Sequence, residues 1–260
     1  MNYRQALTYL DSLINYEKKE FFDYKNSLKL ERMKSFSRRL GNPHESIKAI
    51  HISGTKGKGS VSSFINAILI EAGYKTGLYT SPHLISFRER ICINGEPISE
   101  EDTAGLVSRI KPHLELMEKE KGGKPTYFDA CTMLAFLYFK EKKADFMVLE
   151  TGMGGRLDST NIVEPLVAVI TPISHDHTMY LGADIRDIAY EKCGIIKKNS
   201  IVVSSSQNPE VMKVIKRISG ERNSKLYCVG KEILFERFGS NLEGQSFNLF
   251  TERAEFPCLR

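Results

Sequence analysis

The sequence contains few cysteines, and no pattern connects them. Five occur among its 260 residues, at Cys92, Cys131, Cys193, Cys228 and Cys258. None of the gaps between them has the short paired spacing of a zinc ribbon, and the scatter does not suit a disulfide framework. Both of these protein classes are therefore excluded. We expect reduced thiols that mostly pack in the interior.

Long apolar runs, internal repeats and low-complexity tracts are also absent. No stretch approaches the ~18 apolar residues of a membrane span, and the opening MNYRQALTYLDSL carries an acid and no apolar run. We therefore expect no membrane partner and a cytoplasmic location. With 41% hydrophobic and 27% charged residues, the 260-residue chain can bury a sizeable core, as one large domain or one domain with an appendage.

The net charge of +5 is modest, and the densest basic cluster is ERMKSFSRR at residues 31–39. Binding to nucleic acid would need a basic stripe with interleaved aromatics and a recognisable module. The sequence has neither, so we expect no nucleic-acid partner. The cluster is interpreted first as a solvated face and second as an attractor of anionic substrates.

The most informative stretch is GTKGKGS at residues 54–60, which lies between an apolar segment at 49–52 and a helical pattern. The helical spacing predicts that one stripe is buried, formed by Val61, Phe64, Ile65, Ile68 and Leu69. In a strand, glycine loop and helix of this kind, backbone N–H groups crowd around an anion. The helix N-terminus adds about half a positive charge. The loop therefore predicts a triphosphate cradle in which Lys58 reaches the terminal phosphates.

The match to the strict phosphate-loop pattern is imperfect. Ile52 stands at the first glycine position, and Gly59 separates Lys58 from Ser60. On the loop alone, a tight turn with a solvated lysine stays open as the alternative.

Apolar runs alternate with helical stripes along the rest of the chain. Strands are predicted at residues 76–80, 88–93, 146–149, 167–170, 201–203 and 226–229. Helices are predicted after Ser99, over residues 128–142 and from Pro209. This alternation predicts an α/β fold, P-loop NTPase-like, with a mostly parallel sheet and helices on both faces. In such sheets ligands bind beyond the carboxyl ends of the strands.

Two polar segments follow predicted strands at that edge. Glu150 comes directly after residues 146–149, where a carboxylate beside a phosphate loop suits Mg²⁺. The alternative is an acid that caps the next turn. Asp176 and His177 follow the strand at 167–170, and this pairing favours ligation by the histidine with Asp176 orienting its neighbours. A structural histidine is the other interpretation.

Several strings resemble, in the same order, the N-terminal part of folylpolyglutamate synthases and dihydrofolate synthases, which belong with the Mur ligases. They are HISGTKGKGSV, TSPHLISFRERI, TYFDA, LETGMGGRLDSTN, ITPISHDH and IAYEKCGIIK. The resemblance covers residues 1 to about 230. It implies a Mur ligase-type ATP-binding domain over residues 1–260, with a core at about 45–230 and a β-rich end at 231–260.

The resemblance implies ATP-dependent amide ligation. The carboxylate of a folate or dihydropteroate is first phosphorylated by ATP, and the amino group of L-glutamate then displaces phosphate. ATP and Mg²⁺ are the implied cofactors, and we expect a monomer. The nucleotide phosphates would be held by Gly54, Thr55, Lys56, Gly57, Lys58, Gly59 and Ser60.

The resemblance also implies metal ligands. Ser81, Glu150 and His177 would hold magnesium, with Ser60 contributing on the phosphate side. Lys192 falls on the family's carbamylated lysine, which would ligate a second magnesium. An unmodified lysine paired with Glu191 or salt-bridged elsewhere is the alternative. Lys58, His177 and Lys192 are thus the implied catalytic residues.

For the substrate, the resemblance implies that Phe128 stacks on the pterin, with Thr126 beside it. Asp158 would accept hydrogen bonds from the ring. Arg88 is a candidate for the substrate's negative end, for bracing its loop, or for simple solvation. Three residues depart from the family pattern: Lys56 replaces asparagine, Asp129 replaces glutamate and Ser159 replaces alanine.

The chain stops at Arg260, before the C-terminal Rossmann-like domain that the family normally carries, so that domain is expected to be absent from it. A truncated, non-catalytic nucleotide-binding remnant is therefore the alternative to an active ligase. A ligase for cell-wall precursors is disfavoured, because TYFDA and SPHLISFRERI are features of the folate branch.

Overall fold

An eight-stranded sheet forms the centre of the computed structural model, which describes residues 1–19, 21–120, 124–175, 178–242 and 244–260. Its strands are β1 Lys48–Ser53, β2 Thr76–Tyr79, β3 Ile91–Ile93, β4 Glu96–Pro97, β5 Phe146–Glu150, β6 Val167–Ile170, β7 Ile201–Ser204 and β8 Lys225–Cys228. The order across the sheet is β4-β3-β2-β5-β1-β6-β7-β8. The six strands β2, β5, β1, β6, β7 and β8 pair in parallel with their neighbours. At one edge of the sheet, β3 pairs antiparallel with β2, and β4 pairs antiparallel with β3. The predicted mostly parallel sheet is confirmed.

The register brings the carboxyl ends of the central strands together. Ile52 of β1 lies opposite Glu150 of β5, and Ser53 lies opposite Ile170 of β6. Because the strands are parallel, the segments that follow them leave the sheet at one edge. The glycine loop and the Glu150 carboxylate are thus neighbours through the topology alone.

Helices cover both faces of the sheet. They are α1 Tyr3–Asp11, α2 Tyr24–Ser27, α3 Leu30–Arg39, α4 Lys58–Glu71, α5 Glu100–Glu118, α6 Tyr127–Glu141, α7 Thr178–Leu181, α8 Ile185–Cys193 and α9 Pro209–Glu221. One buried core joins α1, α3, α5 and α6 to β1, β2 and β5. A second joins α8 and α9 to β6 and β7. Within the described ranges no helix is long and apolar enough to cross a membrane.

Helix α4 forms as predicted, but its predicted buried stripe is wrong. Phe64 and Ile68 are 68% and 67% exposed, whereas the buried residues are Ser62 and Asn66. The other three stripe residues, Val61, Ile65 and Leu69, are half-buried, so the inward face overlaps the predicted stripe only in part. The Ser62 hydroxyl can be buried there because it donates to the carbonyl of Lys58 at 2.9 Å.

The segment at 88–93 also differs from prediction. Residues Phe87–Arg90 form a 3₁₀ turn and only Ile91–Ile93 is strand. A capping box explains the turn, since Ser86 accepts from the amide of Arg88 while the Glu89 carboxylate accepts from the amide of Ser86.

The predicted N-cap of α5 is confirmed, because Ser99 accepts from the amide of Asp102 at 2.9 Å.

The basic cluster at 31–39 forms the amphipathic helix α3. Glu31, Lys34 and Arg38 are exposed on it, as a solvated face requires. Arg32 instead turns inward, where its Nε donates to Asp129 of α6 at 2.7 Å and both side chains are buried. This buried ion pair fastens α3 to the start of α6.

The last described residues form a separate three-stranded antiparallel sheet. Its strands are β9 Ile233–Asn241, β10 Gly244–Thr251 and β11 Glu255–Leu259, in the order β11-β10-β9.

All five cysteines are free thiols, and four of them are buried, as expected.

Two glycines provide a matched test of packing. A Cβ on Gly77 of β2 would lie 2.5 Å from the Phe139 ring of α6, whereas a Cβ on Gly105 of α5 would meet nothing within 4 Å. We expect Gly77→Ala to lower the free energy of unfolding by about 1–3 kcal/mol through overpacking. Gly105→Ala should raise it by about 0.5–1 kcal/mol, because alanine favours the helix. Urea unfolding of both variants measures this, and equal effects would contradict the packing.

Candidate active site

The glycine loop is built by contacts that only glycine allows. A Cβ on Gly54 would lie 1.9 Å from the Thr171 hydroxyl oxygen that follows β6. Gly57 has a φ of 80° and is the N-cap of α4. The amide of Thr55 donates to the carbonyl of Pro172 at 2.9 Å. The loop is therefore held against the end of β6 before it enters the helix.

The first turn of α4 points its amides out of this loop. The first helical bond runs from the amide of Val61 to the carbonyl of Gly57 at 3.0 Å. The preceding amides, from Lys58 to Ser60, have no acceptor within the helix. Such a helix start, reinforced by the helix dipole, binds anions. Ser60 and Lys56 are exposed at its mouth.

Lys58, Ser81 and Glu150 meet beside the loop. The Lys58 Nζ lies 4.0 Å from Glu150 Oε1, and the backbone amide of Ser81 donates to Glu150 Oε2 at 3.2 Å. Glu150 is 6% exposed, and this burial raises its pKa, while Lys58 and the Ser81 amide oppose the rise. The carboxylate therefore bonds to two other segments of the chain instead of capping its own following turn.

Lys192 reaches the same loop from α8. Its side chain is buried, and its Nζ donates to the carbonyl of Gly54 at 2.8 Å. The neighbouring Glu191 accepts from Arg156 at 2.7 Å and from the Tyr24 hydroxyl at 3.3 Å. Asp176 and His177, which sequence reasoning placed at this edge, lie outside the described residues.

A cavity of about 490 Å³ adjoins this rim. Four of its lining residues were singled out from the sequence, namely Ser81, Thr126, Phe128 and Asp158. Ser81 also belongs to the Glu150 cluster, because its amide bonds to that carboxylate. The predicted phosphate rim and the predicted substrate pocket therefore share a residue.

Three further lining residues are aromatic and were missed by sequence reasoning, namely Tyr16, Phe22 and Tyr180. The Tyr16 and Phe22 ring centroids lie 4.5 Å apart, and Phe22 and Tyr180 lie 4.6 Å apart. Lys19 lines the cavity and lies over the Tyr16 ring at 5.3 Å. Neither helical nor strand periodicity marks residues 16–22, so only their aromatic content could have drawn attention.

Asp158 is deeply buried behind this cavity. It is 3% exposed, and its carboxylate accepts from the amides of Gly152, Met153 and Thr160 at 2.8, 3.0 and 3.0 Å. The Thr160 hydroxyl donates to it as well. Burial raises the pKa of Asp158, and these hydrogen bonds oppose the rise. The carboxylate thus organises the loop that faces the cavity.

Thr126 and Phe128 lie at the start of α6. Thr126 is the N-cap, and its hydroxyl accepts from the amide of Asp129 at 3.0 Å. Phe128 is half-buried, and a Cβ on Gly152 would lie 2.7 Å from its ring. The ring therefore packs closely on the loop that Asp158 organises. Arg88 is not among the described lining residues of the cavity; its Nε donates to the carbonyl of Ile98, which braces its loop.

Two departures from the family pattern are bonded to each other. The Ser159 hydroxyl donates to Asp129 Oδ1 at 2.7 Å, while Oδ2 accepts from Arg32 and from the amide of Thr126. Ser159, which stands where the family pattern has alanine, thus supplies a hydrogen-bond donor to Asp129. Asp129 stands where that pattern has glutamate and is one methylene shorter. The pair supports the start of α6, where Phe128 lies.

A second cavity, of about 560 Å³, lies at the other end of the strands, beside Ala49 and Met147. Its lining mixes basic side chains, including Lys34 and Arg38, with the acids Glu31, Glu45 and Glu164. Residues of the basic cluster at 31–39 line it, but none of the predicted nucleotide, metal, catalytic or substrate residues does. The chemistry therefore concentrates at the carboxyl edge of the sheet.

The sheet order, the glycine loop and the lysine and carboxylate beside it define a P-loop NTPase-like α/β domain. The family model of the Mur ligase middle domain matches residues 52–257. This chain therefore belongs to the Mur ligase middle-domain family.

Individual relatives agree with the resemblance inferred from the motifs. The chain is 51% identical over 232 residues to a dihydrofolate synthase/folylpolyglutamate synthase of Bacillus subtilis, covering 89% of this chain and 54% of the relative. A folylpolyglutamate synthase structure from Thermotoga maritima matches with a TM-score of 0.88 and 37% identity, over 99% of this chain and 56% of that one. An FPGS–AMPPCP–folate complex matches with a TM-score of 0.90 and 31% identity, over 100% and 62%. The chain spans about half the length of the curated relatives it matches.

The bond between Ser159 and Asp129 can be tested by a double-mutant cycle. Ser159→Ala should lower the free energy of unfolding by about 1–3 kcal/mol, because a buried carboxylate loses a donor. Asp129→Glu should lower it by about 1–3 kcal/mol, because the longer side chain crowds the Ser159 hydroxyl. The double variant should cost clearly less than the sum, since alanine makes room for glutamate. Additive effects in urea unfolding would show that the two positions are independent.

Proposed function

We propose that this chain is the ATP-binding part of an amide ligase that adds L-glutamate to a folate, to dihydropteroate, or to both. One observation carries the proposal: Ser81 joins the Glu150–Lys58 cluster at the glycine loop to the aromatic cavity. A phosphate-binding loop beside a pocket for a flat ring suits a reaction that phosphorylates a carboxylate on the ring-bearing substrate.

The nucleotide phosphates would bind to residues 54–60, with the open amides of the first helical turn as donors. Lys58 would contact the terminal phosphates, where its charge offsets the charge that develops during transfer. The FPGS complex with AMPPCP supports this assignment by similarity.

We also propose that the protein is a cytoplasmic monomer.

The residues present fit a magnesium ion. Glu150, Ser81 and Ser60 offer hard oxygen ligands, and the raised pKa of the buried Glu150 carboxyl means that a further cation nearby would stabilise its ionised form. We propose His177 as a further ligand. When bound, magnesium neutralises phosphate charge during transfer.

Lys192 is proposed to take up carbon dioxide as a carbamate. The ammonium first loses one proton, and the neutral amine then adds CO₂ at Nζ and releases a second proton, so that a cation becomes an oxygen-bearing anion suited to a second magnesium. The carbamate keeps one N–H, so the bond from Nζ to the Gly54 carbonyl can persist. Lys192 would then fix the loop and contribute a negative ligand together.

The cavity would take the pteridine and its aminobenzoyl ring. Phe128 would stack on the pteridine, with Thr126 and Asp158 at the same wall. Tyr16, Phe22 and Tyr180 form a second aromatic wall, and Lys19 places a cation near it. Arg88 would brace the neighbouring loop. The folate in the FPGS complex supports this substrate class by similarity.

Catalysis by these residues would be positional and electrostatic. The loop amides and Lys58 would hold the terminal phosphate in line with the substrate carboxylate, which attacks it and releases ADP. The amino group of L-glutamate would then attack the acyl phosphate and release phosphate.

Lys58→Met tests the nucleotide site. Losing the ammonium should lower AMPPCP affinity about ten- to a hundredfold, because a charge-assisted bond to phosphate is lost. Lys75→Met is the matched control, since Lys75 is exposed at the other end of β2, and it should leave the affinity unchanged. Isothermal calorimetry measures both. Equal AMPPCP affinities of Lys58→Met and wild type would show that Lys58 does not contact the nucleotide phosphates.

The ligase activity is tested by ADP release from the complete natural reading frame that contains these residues. We expect release that depends on dihydropteroate or a reduced folate together with L-glutamate, and none with a muramyl nucleotide as acceptor. Tight ATP binding without turnover on any acceptor would instead select the non-catalytic nucleotide-binding alternative.

A further inference from the structure

A chain of buried hydrogen bonds runs from β1 to the wall of the cavity. His51 Nε2 lies 2.8 Å from the Thr160 hydroxyl oxygen, and that hydroxyl donates to Asp158 Oδ1. His51 and Thr160 are fully buried, and Asp158 is 3% exposed. His51 is not among the described residues that line the cavity, yet it lies two hydrogen bonds away from Asp158, which does line it.

The number of hydrogen atoms available at Thr160 and Asp158 determines which group donates in each hydrogen bond of this chain. An ionised carboxylate only accepts, and Asp158 also accepts from three backbone amides. The single Thr160 hydroxyl hydrogen therefore goes to Asp158. The Thr160 oxygen must then accept from His51, which makes His51 the Nε2–H tautomer.

The other ring nitrogen agrees with this assignment. His51 Nδ1 is buried and has no hydrogen-bond partner among the described residues. In the Nε2–H tautomer this atom is an unpaired acceptor, whereas the opposite tautomer would bury an unpaired N–H. Buried orphan donors are the rarer of the two in proteins. Burial, reinforced by the nearby Lys197 charge, lowers the pKa of His51 to about 3, so the ring is neutral.

The hydrogen bond from His51 controls the Thr160 hydroxyl, which is the one donor to Asp158 that can rotate. Its carboxylate has about four lone-pair positions, and four protein donors meet it. Three of those donors are backbone amides with fixed directions. Only the Thr160 hydroxyl can rotate, and the His51 N–H determines where its hydrogen points.

We propose that His51 is a positioning residue for substrate binding: through Thr160 it holds the Asp158 carboxylate in one orientation at the cavity wall. The proposal rests on the proposed function, because it takes Asp158, together with the loop of Gly152 and Met153 that its carboxylate holds, as part of the pteridine pocket. It assigns His51 no direct contact with either substrate.

Binding of dihydropteroate and of AMPPCP to the chain, both measured by calorimetry, tests this role. His51→Leu and Thr160→Val should each weaken dihydropteroate about tenfold, because an oriented bond to a buried charge is lost. His51→Gln, whose amide can donate from a similar position, should stay within about threefold of wild type. AMPPCP affinity should be unchanged in all of them.

Two comparisons separate positioning from general damage. The double variant His51→Leu/Thr160→Val should bind dihydropteroate no worse than Thr160→Val alone, because both act through one hydroxyl. His44→Leu is the matched control, since His44 is also buried and hydrogen-bonded to a serine hydroxyl, at 3.0 Å, but lines the remote cavity. It should leave dihydropteroate affinity unchanged. Equal losses of both ligands in His51→Leu, or additive losses in the double variant, would overturn the proposal.

Nitrogen-15 NMR of the imidazole tests the hydrogen-bond chain without any ligand. We expect a neutral Nε2–H pattern for His51 between about pH 5 and pH 8. A neutral Nδ1–H pattern, or a titration in this range, would overturn the proposal. If wild type binds no dihydropteroate, the proposed substrate fails, and the tautomer alone then decides whether His51 directs Thr160 toward Asp158.

Discussion

The attraction between Lys58 and Glu150 at the end of two parallel strands is the interaction on which the site depends. At 4.0 Å, two unit charges attract by about 4 kcal/mol at an effective dielectric of about 20, which offsets part of the cost of burying the carboxylate. Glu150 also adjoins the first turn of α4, since a Cβ on Gly59 would lie 3.5 Å from its Oε2, so the rim combines the open amides and Lys58 with this carboxylate. A polyanion that arrives with a hard cation satisfies both sides, because phosphate takes the amides and the lysine while the cation takes the carboxylate.

The closeness of the glycine loop to Glu150 could be predicted from the sequence because its determinants are local. A strand, a glycine loop and a helix follow one another within about two dozen residues, and the rule for parallel sheets places Glu150 at the same edge. Local patterns were less reliable where tertiary demands compete with them. Helix α4 exposes Phe64 and Ile68 while it buries Ser62 and Asn66, and the turn at Phe87–Arg90 follows its capping box instead of its strand-like composition.

The cavity depends on residues far apart in the chain, which no single-sequence pattern connects. Tyr16 and Phe22 come from the N-terminal segment and stack towards Tyr180, so the aromatic wall becomes visible only in three dimensions. The same holds for Arg32, Asp129 and Ser159, whose bonds join α3, α6 and the loop after β5. The resemblance to the folate ligases pointed to Phe128 and Asp158, but it gave no sign that His51 and Thr160 form a hydrogen-bond chain to Asp158.

The most direct test of the central claim is a crystal structure of this chain with AMPPCP and Mn²⁺ in place of Mg²⁺, in which anomalous scattering locates the metal. We predict phosphate density against the amides of residues 57–60 and a manganese peak within about 2.0–2.3 Å of a Glu150 or Ser81 oxygen. Nucleotide bound in the cavity beside Lys34 and Arg38, at the opposite end of the strands, would contradict it.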